Sequence, residues 1–117
     1  MPSRVRKDRH RVLLKGMGAS GGIAAGYARI VRDPTQVNRI HEGDILVTEM
    51  TNPMYVIAIL KAAAIVTDVG GLLSHAAIIA RELGIPCVVG TNTATKTLKD
   101  GERIRVNGNE GLIYAGD

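Results

Sequence analysis

Phenylalanine and tryptophan are absent from this 117-residue sequence, and its aromatics are Tyr27, Tyr55 and Tyr114 alone. Three scattered rings in no recognisable motif exclude the stacking platform that holds single-stranded nucleic acid. Cysteine is reduced to Cys87, which excludes an internal disulfide and a multi-cysteine metal site and fits a reducing, cytoplasmic interior. His10, His41 and His75 have no short-range ligand spacing, so they do not read as a metal site either. No apolar run approaches the roughly 20 residues that cross a bilayer, and no secretory h-region is visible. A chain of this length has room for one domain and for no separate substrate and nucleotide lobes.

What the sequence does have is β-branched and small residues: 12 Ile, 11 Val and 14 Gly. Such a mixture favours short strands, tight turns and small helices. The formal charge of +4 is unevenly spread. Residues 1–15 hold six bases and one acid, whereas residues 16–117 hold nine bases and ten acids. The body is nearly neutral, which argues against nucleic acid as its partner. We divide the chain into a basic N-terminal arm, 1–11, and a single domain, 12–117. The arm reads as a solvated tail, with docking on an acidic partner or strand pairing through Val12 to Leu14 as alternatives.

Along the body, Arg11 to Lys15 predicts a first strand. Gly16 to Gly22 predicts a flexible or tightly turned packing loop. It lacks both the Lys of a phosphate-binding P-loop and the long following helix of a dinucleotide site. Ile23 to Val31 predicts a strand with a possible bulge at Gly26, and Asp33-Pro34 a turn. After the turn at Glu42-Gly43-Asp44, Ile45 to Thr48 reads as a strand. Asn52 and Pro53 read as the cap and first residue of a helix to about Lys61, with Val56, Ile57 and Leu60 on one side. Strands at Ala64–Thr67 and Cys87–Val89 bracket a helix from His75 to Leu83. Ser74 is its N-cap, Gly84 its C-cap, and Pro86 follows. Strands alternating with helices favour parallel crossovers on a shared sheet. Thr93 to Leu98 reads as a short helix. Asn107-Gly108 is a hairpin signal between Glu102–Val106 and Gly111–Tyr114.

The chemistry concentrates where a glycine loop, Gly70-Gly71-Leu72-Leu73, meets that capped helix start. Free N–H groups and a partial positive charge gather there. They favour a neutral imidazole at His75, and a neutral imidazole is a nucleophile. A phosphoryl group taken up by that ring would bring negative charge to the same N–H groups. Adjacent Ser74 and His75 do not readily reach the geometry of a hydroxyl–imidazole nucleophilic pair. Thr67 and Asp68 end a strand beside the loop, placed to support it by short side-chain hydrogen bonds. Arg81 lies off the ring's helical face and is expected to pair with Glu82 or a partner surface.

The run Thr67-Asp68-Val69-Gly70-Gly71-Leu72-Leu73-Ser74-His75-Ala76-Ala77 and its continuation to Gly90 closely resemble the signature of the phosphohistidine, or swivelling, domain of PEP-utilising enzymes. Lys15 to Gly26 resembles that family's opening segment, and Asp100 to Gly111 its close. Leu73 stands where many members have Thr, and Cys87 where Ala is commoner. The resemblance covers residues 12–115. It implies an α/β fold: one compact swivelling β/β/α domain with parallel crossovers and a C-terminal antiparallel hairpin. It also implies that His75 carries a phosphoryl group between two sites on partners, a nucleotide-binding domain of the ATP-grasp type and a TIM barrel that binds PEP or pyruvate. Ser74, Gly71 and Gly70 would then shape the loop, with Thr67, Asp68 and Arg81 in supporting positions. No cofactor is implied on this chain alone, since Mg2+ would come with ATP or PEP on the partners, and no membrane is implied. The expected function is a carrier of a phosphotransferase, incomplete by itself. The alternatives are a non-catalytic binding or regulatory module of the same fold, or the small swivel subunit of an aconitase-like dehydratase.

Overall fold

A computed structural model describes residues 11–116. The predicted arm lies outside them except for Arg11, whose carbonyl accepts from Ala115 N at 2.8 Å. Eight strands form: β1 (Val12–Lys15), β2 (Met17–Ser20), β3 (Ile23–Ile30), β4 (Ile45–Thr48), β5 (Ala64–Thr67), β6 (Cys87–Val89), β7 (Arg103–Asn107) and β8 (Leu112–Ala115). Their spatial order is β1-β8-β7-β3-β4-β5-β6-β2. Strands β3 to β6 run parallel, while β1, β8 and β7 pair antiparallel on one flank and β2 on the other. β3 joins the two halves. Its Ile23–Tyr27 stretch pairs with β7, and Ala28–Ile30 pairs with β4. β1 and β2 stand at opposite ends of the order yet are separated in sequence by Gly16 alone. The sheet must therefore curl until its two ends meet.

Strands β4, β5 and β6 are buried on both faces, and their side chains alternate between two cores, as a period of two requires. Ile45, Val47, Ala64, Val66 and Val88 point into one cluster with Ile104, Val106 and Ile113. The intervening Leu46, Ile65, Cys87 and Val89 face the other, under the helices. Each fully buried Ile or Leu contributes roughly 1.5–3 kcal/mol. The helices over this second face are α1 (Val56–Lys61) and α2 (His75–Leu83), while α3 (Ala94–Thr97) packs on the first cluster through Ala94.

Several expectations need correction. The Gly16–Gly22 loop contains β2, which pairs with β6 as an edge strand. β6 needed a partner, and Ala19 reaches the helix-side core from there. Gly26 is no bulge: it pairs in register with Ile104, and its missing Cβ makes room for the Gly43 carbonyl. The register shifts fall at Val12/Leu14 and Gly18/Ser20 instead. Asp33-Pro34 opens a 3-10 helix, Pro34–Arg39, with Asp33 accepting from Thr35 N at 2.8 Å. The helix expected from Pro53 begins as a 3-10 turn, Pro53–Tyr55, before α1. Its core side is Tyr55, Ala58 and Ile59, so Val56, Ile57 and Leu60 face outward.

Cys87 is fully buried in β6, and burial pushes its thiol up to about 12. The native protein is expected to leave a disulfide reagent unreacted at about pH 8, where a free cysteine is partly thiolate. Reaction should appear only on unfolding, which a thiol titration with and without denaturant will show.

Candidate functional site

The site lies where β4 and β5 release the chain at their carboxyl ends. β4 and β5 are paired in register, Thr48 against Thr67. This brings the loop after Thr48 alongside the loop after Thr67. The first carries Met50 and Thr51; the second runs from Asp68 to the start of α2. Between them is a cavity of about 180 Å3 lined by Met50, Thr51, Thr67, Val69, Gly70, Ser74, His75 and Ala76.

α2 begins and ends as its caps dictate. Ser74 has extended backbone angles and its Oγ accepts from Ala77 N at 3.4 Å, and Gly84 closes the helix in the left-handed region at φ 72°. The Ser74 hydroxyl also donates to the Gly71 carbonyl at 2.7 Å. That hydroxyl is thus spent on the cap and on closing the loop. Gly70 adopts φ 117°, and a Cβ there would press on Ser74 at 3.1 Å, so glycine is required on both counts. Gly71 is different: a Cβ would meet nothing within 4 Å, and the space beside it is open.

His75, the first residue of α2, is half-buried. Its Nδ1 lies 2.8 Å from Thr51 Oγ1, and Thr51 is itself buried. Among the described residues Nε2 makes no hydrogen bond. One ring nitrogen is therefore anchored and the other is free. Thr51 escaped the sequence reading. Its position just before the Asn52-Pro53 cap signals only a helix start, and the pairing with His75 spans 24 residues. It becomes visible only when β4 and β5 are known to be neighbours.

The supporting residues divide. Thr67 is buried beside the cavity, and its Oγ1 donates to the Val69 carbonyl at 2.8 Å, while its own carbonyl accepts from Thr91. Asp68 is not among the residues that line the cavity: its carboxylate accepts from Thr95 N at 2.9 Å and Thr95 Oγ1 at 2.6 Å, tying the loop to α3. Arg81 does not pair with Glu82. Its guanidinium donates to the Leu72 carbonyl at 2.8 Å and to the Ala19 carbonyl at 3.0 Å, clamping the glycine loop to β2. Planar guanidinium geometry suits two such carbonyls, and Arg81 is not among the residues that line the cavity.

The family described as PEP-utilising enzyme, mobile domain, matches residues 40–111. The chain belongs to that family. This mobile domain is 59% identical over 105 residues to phosphoenolpyruvate synthase of Pyrococcus furiosus, covering 90% of this chain and 13% of that protein. It is 52% identical over 98 residues to the uncharacterized phosphotransferase YvkC of Bacillus subtilis, covering 84% of this chain and 12% of that protein. The mobile domain thus spans little more than a tenth of the length of these relatives. Among solved structures, an Enzyme I protein matches 69% of the chain and 34% of its own at 32% identity with a TM-score of 0.59. Aconitase X of Thermococcus kodakaraensis matches 89% of this chain and 98% of its own with a TM-score of 0.62, but at 20% identity that likeness shows a shared fold alone. The expected α/β architecture with parallel crossovers and the β7–β8 hairpin is therefore established. Among the described residues no helix is long and apolar enough to cross a membrane.

Proposed function

We propose that this mobile domain carries a phosphoryl group on His75 Nε2 between two sites on partner domains or subunits. One would be a nucleotide-binding site of the ATP-grasp type, the other a PEP- or pyruvate-binding barrel. The observation that carries the proposal is the divided imidazole, with Nδ1 held by buried Thr51 and Nε2 free at the capped start of α2. The carrier role uses the tautomer in which Nδ1–H donates to Thr51 Oγ1, which leaves the lone pair on Nε2. That nitrogen attacks phosphorus in line. The N–P bond forms as the P–O bond to the leaving group breaks, and the electron pair departs on that oxygen. In the second transfer an acceptor oxygen attacks phosphorus, the N–P bond breaks, and its pair returns to Nε2. The N–H groups at the start of α2 favour the charge carried between the two steps.

Among the described residues no group of three His, Cys, Asp or Glu is placed to hold a metal ion, and the cavity lining has no carboxylate. No step is therefore assigned to a metal on this chain. Magnesium belongs with ATP or PEP on the partner, where it supplies neutralising charge to the phosphoryl oxygens.

The test sets the whole chain into the Pyrococcus furiosus synthase in place of the matching segment and supplies radiolabelled PEP. Label that is acid-labile and alkali-stable supports the carrier. A chimera that folds and takes no label, together with a free chain that phosphoramidate does not load, leaves a regulatory or binding module.

Thr51 acts here as a positioning residue. Thr51→Val keeps its shape and removes the Nδ1 partner, so loading should slow about ten- to a hundredfold through lost ring orientation. Thr51→Ser, which keeps the oxygen, should recover most of that rate. Equal rates in Val and Ser variants would show that the hydrogen bond does not orient the nucleophile.

A further inference from the structure

A second cleft, of about 610 Å3, opens where the chain leaves β3, lined from the 3-10 helix Pro34–Arg39 on one side and from α3 and the residues after it on the other. It shares no lining residue with the cavity beside His75. Four bases line it, Arg32, Arg39, Lys96 and Lys99, against one acid, Asp100. Residues 16–117 hold nine bases and ten acids. Four of those nine bases in one cleft is a segregation of charge that the composition of the body does not supply.

The fold forces this gathering. Ala28 N donates to the Glu102 carbonyl at 2.7 Å, Gly101 N to the Ala28 carbonyl at 2.6 Å, and Ile30 N to Asp100 Oδ1 at 2.8 Å. The chain after α3 is thereby laid along the end of β3, which brings its lysines to the two arginines. Asp100 does not neutralise the group. Its carboxylate is already engaged by Ile30 N, by Arg39 at 2.7 Å and by Arg29 at 3.5 Å. The side chains of Arg32, Lys96 and Lys99 make no ion pair or hydrogen bond among the described residues. Like charges held together without partners repel one another, and an anion in the cleft removes that cost.

The lining also selects the anion. Four bases less one acid leave a net +3. One phosphate brings about −1.5 to −2, so a single group leaves part of the charge unmet and several linked phosphates match it. Guanidinium forks take phosphate oxygens in pairs, and lysine ammonium groups follow as point charges. The lining has no aromatic ring on which a base could stack.

We propose that this cleft binds a short phosphate chain, gripped by Arg32, Arg39, Lys96 and Lys99, with no base recognised. The site stands independently of the carrier reading of His75. Thr95, which also lines the cleft, holds the Asp68 carboxylate through its N–H and hydroxyl. The bound chain therefore lies against the residue that ties down the loop leading to His75.

The experiment is calorimetric titration of the whole chain with inorganic tripolyphosphate, without magnesium. At about 0.15 M salt the Debye length is about 8 Å, so charges outside the cleft contribute little. Expected is one site per chain with a micromolar Kd, weakened about tenfold or more in Lys96→Gln/Lys99→Gln and again in Arg32→Gln. Both variants change exposed side chains, and a thermal melt of each checks the fold. Arg6→Gln/Lys7→Gln removes the same charge from the N-terminal arm and should bind within about twofold of wild type. His75→Ala should bind likewise, which separates this site from the carrier. ATP should bind no tighter than tripolyphosphate. No binding by wild type at about 1 mM tripolyphosphate overturns the site. So does a loss in the arm variant as large as in the lysine variant, which would make the binding diffuse attraction to a basic chain. Loss of binding in His75→Ala would move the anion to the other cavity, and ATP binding about tenfold tighter would make the cleft a nucleotide site; either result overturns the proposal.

Discussion

His75→Ala is expected to abolish phosphoryl loading, with the rate falling at least about a thousandfold, as for other lost nucleophiles. Wild type should take up label that survives alkali and is lost in acid. The variant should take up none from PEP or from phosphoramidate. The fold should survive, because the ring is half-buried and makes one side-chain hydrogen bond, to Thr51. Alanine also suits the first turn of α2. The lost hydrogen bond costs about 1 kcal/mol, which a thermal melt will separate from unfolding. Ser74→Ala is the matching control. It removes a cap, worth about 1 kcal/mol, but leaves Nε2 and Thr51 in place, so loading should persist. Label retained in His75→Ala would move the carrier to His10 or His41 and remove the mechanism. Loss of label in Ser74→Ala with an intact fold would give that hydroxyl a chemical role beyond the cap.

The helix carrying His75 was legible in the sequence to the residue, because its boundaries are local chemistry. Ser74 and Gly84 announce themselves by type and spacing, and α2 runs between them. The parallel strands were legible for the same reason: Ile45–Thr48, Ala64–Thr67 and Cys87–Val89 are short apolar runs between turn signals. What escaped was set by distant contacts. Met17–Ser20 has two small residues and a glycine, and it becomes a strand because β6 offers an unpaired edge. Thr51 becomes part of the site because β4 and β5 lie side by side. Arg81 looked like a surface charge because its two acceptors are backbone carbonyls, which no sequence pattern identifies. Asp68 was read as a support for the loop, and its carboxylate bonds Thr95, 27 residues away, a partner that no local pattern identifies.

Gly108→Ala is the largest expected loss of stability, and its reason differs from the one the sequence offers. Asn-Gly suggests a two-residue hairpin turn with glycine in a left-handed conformation. In the structure β7 ends at Asn107 and β8 starts at Leu112, so the turn is longer. Asn107 Oδ1 builds it, accepting from Asn109 N and Glu110 N at 3.0 Å each. The left-handed residue is Gly111, at φ 72°; Gly108 is not among the positive-φ glycines. Gly108 is instead required because its backbone packs against β2 and β6. A Cβ there would collide with the Ser20 carbonyl and lie 3.0 Å from Cys87 N. Both neighbours are backbone, so neither can swing aside. A cost of about 3 kcal/mol follows from overpacking, or a fall in melting temperature of about 10–20 °C. Gly101→Ala is the comparison. That glycine has φ 84° but open space around it, so its loss should cost only about 1–2 kcal/mol of backbone strain. Equal losses in the two variants would show that turn conformation, not close approach, decides the position. The strand that Gly108 touches also holds the Ala19 carbonyl that anchors Arg81. Displacing β2 should therefore loosen the clamp on Leu72 and slow the loading of His75, even at temperatures where Gly108→Ala remains folded.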